Sequence, residues 1–186
     1  MFYHASPVGG LQVLEPHVSN HGKPLVYLSR KRENVLVYLS NAVEKTCRET
    51  GFAWDGPWQK WASYGFTPEG LLCLEEYYPN ATEDTYRGVA GYVYSMAEAP
   101  GAADQPDIPG AAITPFPVRP DHCEYIPDAY EAIMAAVNAG QMVLRHYEDN
   151  PPQTLAWIER VTRAEYEEAA PDYRHFLEAK FSEFTG

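Results

Sequence analysis

Basic charge is scarce in this chain: 14 lysines and arginines stand against 26 aspartates and glutamates, a formal net charge of −12. A nucleic-acid backbone is met by a basic surface, so general affinity for it is not a property of the whole chain. Only a local basic groove stays open. Cysteine is also sparse. Cys47, Cys73 and Cys123 are odd in number and isolated, with no Cys-x-x-Cys. That pattern suggests no disulfide framework. No apolar run approaches a membrane-spanning length, and no basic-then-apolar leader opens the chain. The expected setting is intracellular, reducing and cytoplasmic, with no membrane partner. Neither GxGxxG nor GxxxxGK[S/T] occurs, so the common glycine-rich phosphate cradles are missing. There is no internal repeat.

What is present suits one folded domain over residues 1–186, with a mixed core over 1–127 and a helical extension over 128–186. Apolar content is ordinary and tyrosine is plentiful. The 16 prolines are scattered among apolar segments, against disorder of the whole chain. Acidic residues crowd the last third and mark a solvated helical face.

Residues 2–6 and 24–29 read as short strands. Arg30 to Thr46 carries Val35, Leu36, Leu39, Ala42 and Val43 at helical spacing, and Gly51 ends the helix. Residues 52–66 are aromatic-rich small strands with a turn at Asp55-Gly56-Pro57. Thr67-Pro68-Glu69 reads as a helix start, with Leu71, Leu72, Leu74 and Tyr78 as its apolar side. Residues 89–94 are a strand. Residues 97–112 form a long mobile loop, and 113–126 return to extended structure punctuated by prolines. Helix follows from Asp128 to Val143, broken at Gly140, then over 152–163 and 165–184 with Pro171 interrupting. Strands with one early helix, more strands and a helical tail make an α+β pattern.

Three of these strands each carry a polar side chain that chemistry uses: His4 in Phe-Tyr-His-Ala-Ser, Tyr27 in Val-Tyr-Leu-Ser and Glu124 in Cys-Glu-Tyr-Ile. Each also has a plain explanation. His4 fits a hydrogen-bonded core or edge histidine, Tyr27 a core tyrosine, and Glu124 a solvent-facing residue of an edge strand. Other combinations are weaker. His17 and His21 have metal-ligand spacing only on a helix, which Asn20 and Gly22 oppose. His122 and Cys123 are strand neighbours and point to opposite faces. Glu75-Glu76 reads as solvent-facing helix. Arg30, Lys31 and Arg32 read as a solvated helix start, with attraction of a pyrophosphate or an acidic partner as the alternative. Trp54, Trp58, Trp61 and Tyr64 form an aromatic cluster that is core or a contact surface.

In order and local wording, the His4, Tyr27 and Glu124 segments resemble the ADP-ribosyltransferase superfamily, in its diphtheria-toxin-like and poly-ADP-ribose-polymerase-like branch. The resemblance touches residues 1–45 and 113–127. It implies a split β-sheet with flanking helices that holds NAD between its halves. His4 would bond a ribose hydroxyl, and the backbone at Ala5 would grip the carboxamide, where the polymerase-like branch usually has glycine. Ser6 would support that grip. Tyr27 would stack on nicotinamide, with Ser29 closing the same cofactor-binding segment. Glu124 would be the catalytic carboxylate. The implied cofactor is NAD as ADP-ribose donor, with no metal. The implied reaction is transfer of one ADP-ribose to an unknown acceptor such as a protein, or hydrolysis of NAD. The alternatives are a module that binds NAD or ADP-ribose without turnover, and a non-enzymatic interaction protein.

Overall fold

The computed structural model describes residues 1–18, 22–56 and 62–185. In chain order it runs through β1 (Phe2–Ser6), β2 (His17–Val18), β3 (Pro24–Ser29), a 3-10 segment (Glu33–Leu39) and α1 (Ala42–Thr50). Next come β4 (Ala62–Phe66), β5 (Leu72–Glu76), α2 (Ala81–Tyr86), β6 (Gly91–Met96), β7 (Ala103–Asp104), β8 (Ala111–Thr114) and β9 (His122–Ile126). The chain ends with α3 (Ala129–Asn138), β10 (Met142–Arg145), a short 3-10 turn (Tyr147–Asp149), α4 (Pro152–Glu168), α5 (Pro171–Lys180) and α6 (Ser182–Thr185). The class is α+β. Among the described residues no helix is long and apolar enough to cross a membrane.

Internal contacts group the chain into two units. The first comprises residues 1–39, 66–72 and 86–143. It holds a seven-stranded sheet in the order β7-β8-β3-β1-β6-β9, with β2 added to β3. Every registered pair in it is antiparallel. Directly opposed residues share a face and alternate along each strand. One face therefore carries Phe2, Val26, Leu28, Tyr94, Met96 and Ala112, which close with Leu14 and Val118 into a buried core. The 3-10 segment covers part of the other face, against β1, β6, β3 and α3. There Leu39 lies so close to Gly91 that a β-carbon on Gly91 would come within 2.6 Å of Leu39 Cδ2.

The second unit comprises residues 40–65, 73–85 and 144–186. Most of the smaller sheet, ordered β10-β5-β4, belongs to it, as do α1, α4, α5 and α6. Its core includes Leu74, Tyr78, Ile158, Phe176, Leu177 and Phe181, all buried. Residues 129–143 group with the large sheet and not with the C-terminal helices.

Several expectations are corrected. The early helix is two pieces, because Asn41 restarts it: its Oδ1 accepts from Val43 N at 3.0 Å and Glu44 N at 3.3 Å. Gly51 ends the second piece in the left-handed conformation. Thr67-Pro68-Glu69 starts no helix. Gly70 has φ +76°, its amide donates to Thr67 O at 2.8 Å, and Thr67 N donates to Leu71 O, so the segment is a tight turn leading into β5. Glu75 and Glu76 are consequently strand residues, and Glu76 is buried. The stretch 97–112 is no long loop: β7 pairs with β8, and Gln105 N donates to Ala111 O within the hairpin. Helix α3 stops at Asn138, Gly140 turns left-handed, and Met142–Arg145 is a strand. Helix α2 was not expected. Pro57, Trp58, Trp61 and His21 lie outside the described residues.

Candidate functional site

The large sheet is continuous through β3 and β1, and its sparsest registered pairing lies between these two strands. These strands share one registered pair, Tyr3↔Ser29, whereas β1 and β6 share five. Continued register would set Ala5 opposite Tyr27. Instead the His4 ring lies against β3, its Nδ1 2.9 Å from the Tyr27 carbonyl oxygen. A carbonyl oxygen only accepts, so Nδ1 carries the proton and Nε2 keeps its lone pair. Burial holds the His4 imidazole below the ordinary histidine value. The bond to Tyr27 opposes that shift and the neighbouring His17 adds to it. His4 is thus a neutral ring at neutral pH with an acceptor nitrogen.

Glu124 lies two strands from His4, on β9. The register sets Ala5, Val93 and Glu124 in one row, with Tyr3, Ser95 and His122 in the row beside it. These six side chains share a face, and Ser29 joins them through its pair with Tyr3. Tyr27, two residues earlier on the same strand, projects to the same side. His4 and Ser6 start from the opposite face, with Tyr94 and Cys123. The structure therefore brings Ala5, Tyr27, Ser29 and Glu124 to one face. His4 meets Tyr27 only through its bond to the Tyr27 carbonyl. Ser6 turns locally, accepting from Val8 N at 3.1 Å.

Glu124 is not a bare edge carboxylate. Arg32 Nε donates to its Oε2 at 2.8 Å and Arg32 Nη2 to its Oε1 at 2.7 Å. Those bonds, against some desolvation and helped by the Arg32 and His122 charges, hold its carboxyl below the usual range. The pair joins the turn after β3 to β9. Its partners stay accessible, with side chains 36% and 43% exposed. The basic triplet after β3 is thus engaged and not a solvated helix start. Arg30 pairs with Asp104 and lies over the Phe2 ring, and Lys31 Nζ donates to Gly70 O at 2.7 Å. Ser29 Oγ accepts from Lys31 N at 3.0 Å.

Tyr3 and Ser95 escaped the sequence reading, and Arg32 and His122 entered it without their link to Glu124. Arg32 and Glu124 are 92 residues apart, and no local pattern pairs them. His122 and Cys123 do point to opposite faces. His17 sits on a strand, not a helix. Trp54 keeps a buried indole nitrogen without a hydrogen-bond partner. An open pocket of about 650 Å³ elsewhere in this unit is bordered by Glu98, Arg119 and Asp121 and contains none of the residues above. We favour the Glu124 face over it, because there a fixed carboxylate meets a guanidinium in an accessible pair. The chain matches no family model, no curated protein and no solved structure.

Proposed function

We propose that this protein binds NAD and breaks its nicotinamide–ribose bond, passing ADP-ribose to an acceptor or to water. The supporting observation is the ionised, orientated Glu124 carboxylate, its side chain 43% exposed, on the sheet face that also carries Tyr27. In this reaction the C1′–N bond breaks and its electron pair leaves with nicotinamide, which departs neutral. An acceptor oxygen attacks the ribose carbon and loses its proton to solvent. Charge grows on the ribose as the bond lengthens, and a preorganised carboxylate stabilises it. His4, neutral with Nε2 free to accept, suits a ribose hydroxyl. Tyr27, on the Glu124 face, supplies a ring for nicotinamide. The Ala5 backbone and Ser29 lie on the neighbouring strands β1 and β3.

One observation favours a second reading, a module that binds NAD without turnover: both Glu124 oxygens already engage Arg32, which compensates their charge. Thermal unfolding with millimolar NAD, together with nicotinamide release, separates the two. A ligand at a hundredfold excess over its Kd stabilises by about 2.7 kcal/mol. The enzyme reading expects stabilisation of wild type and of Glu124→Gln, with nicotinamide released by wild type alone. Stabilisation of both without release selects the module. Neither stabilisation nor release overturns both readings.

A further inference from the structure

We propose that Arg32 is the positioning residue of this site: its guanidinium fixes the plane and place of the Glu124 carboxylate for reaction at the ribose. The inference rests on Glu124 being the carboxylate that acts. Arg32 is well placed to set geometry because its own backbone is pinned. Arg30 N donates to Gly110 O at 2.7 Å, Lys31 N to Ser29 Oγ at 3.0 Å, and Arg32 O accepts from Val35 N at 3.2 Å. From that turn the side chain reaches Glu124 with two nearly equal bonds, one to each oxygen. Two bonds from a planar fork fix the carboxylate plane, which one contact does not. Each oxygen keeps a further lone pair for a substrate hydroxyl.

A clamp for the fold would be a poor use of this pair. Both side chains are more than one-third exposed, and exposed ion pairs contribute about 0–1 kcal/mol. The charged and titratable neighbours are few: His122 acts on Glu124, and Glu33 and Tyr3 act on Arg32. None of them substitutes for the fork.

The test compares wild type, Arg32→Lys and Arg32→Met in nicotinamide release across pH. It also follows the Glu124 side-chain carboxyl by carbon-13 NMR and checks folding by thermal unfolding. Lysine keeps the charge and loses the fork. The expected result for Arg32→Lys is an unchanged KM for NAD, near-native unfolding and a kcat lowered about tenfold to a hundredfold, the scale of small misplacements. Arg32→Met is expected to move the Glu124 titration and the acid limb of kcat to higher pH together. Wild-type kcat in Arg32→Lys overturns the proposal, as does a Glu124 carboxyl that titrates alike in wild type and Arg32→Met. If wild type releases no nicotinamide, the functional reading fails and this inference fails with it. Release that ignores Arg32 removes only the inference.

Discussion

His4 Nδ1 donates to the Tyr27 carbonyl at 2.9 Å across the interval where β1 and β3 share a single registered pair. A side chain stands where a main-chain amide would continue the ladder. The registered pairing is sparse there, and the ring is left with one nitrogen to offer.

His4→Ala leaves that carbonyl without its donor and is expected to cost about 1–3 kcal/mol. The contribution also depends on pH. Burial lowers the folded value below the unfolded value of about 6.5, so the unfolded chain takes the proton first. Stability from this site is complete above about pH 6.5 and falls as pH drops from there towards the folded value. His4→Asn keeps a donor and cannot titrate, so that part of the acid slope disappears. Urea unfolding at pH 8 and at pH 5 measures both effects. Equal slopes in wild type and His4→Asn count against the arrangement.

In the second unit, Glu76 separates sharply from its neighbour Glu75. Glu76 is 1% exposed, and its Oε1 accepts from Thr82 N at 2.8 Å. Its Oε2 lies 3.3 Å from both Tyr147 N and His146 Nδ1. Glu76→Ala strands these donors and is expected to cost about 2–5 kcal/mol in chemical denaturation. Glu75, whose partner is the exposed Arg145, is expected to cost under about 1 kcal/mol on mutation to alanine. Comparable losses in the two variants would contradict the buried role of Glu76.

The packing of the 3-10 segment on the large sheet is tested at Gly91. Its backbone needs no glycine conformation, but a β-carbon there would sit 2.6 Å from Leu39 Cδ2 and 3.3 Å from Ser6 O. Gly91→Ala is expected to destabilise by about 1–3 kcal/mol through overpacking. Leu39→Ala alone opens a cavity. In the double variant the alanine at position 91 should cost less than it does in wild type, a positive coupling in a double-mutant cycle. Strict additivity would mean that Leu39 is not the obstacle.

Local patterns fixed much of this molecule. Alternating apolar residues placed β1 and β3, Asp128 marked the start of α3, and Pro171 separated α4 from α5, because these signals act within a few residues. Elsewhere a local signal was outweighed. Thr67-Pro68 has the wording of a helix start, yet the left-handed Gly70 and the pairing of β5 made it a turn. The alanine-, glycine- and proline-rich stretch after residue 97 acquired a hairpin because β8 offered a partner edge. His4, Tyr27 and Glu124 could be singled out in the sequence, since each is a polar side chain in a short strand. Their faces could not, because facing depends on register across four strands. That register sets Glu124 with Tyr27 and brings the His4 ring against β3. The bond from Arg32 was equally hidden, for its two ends meet only once β3, β1, β6 and β9 lie side by side.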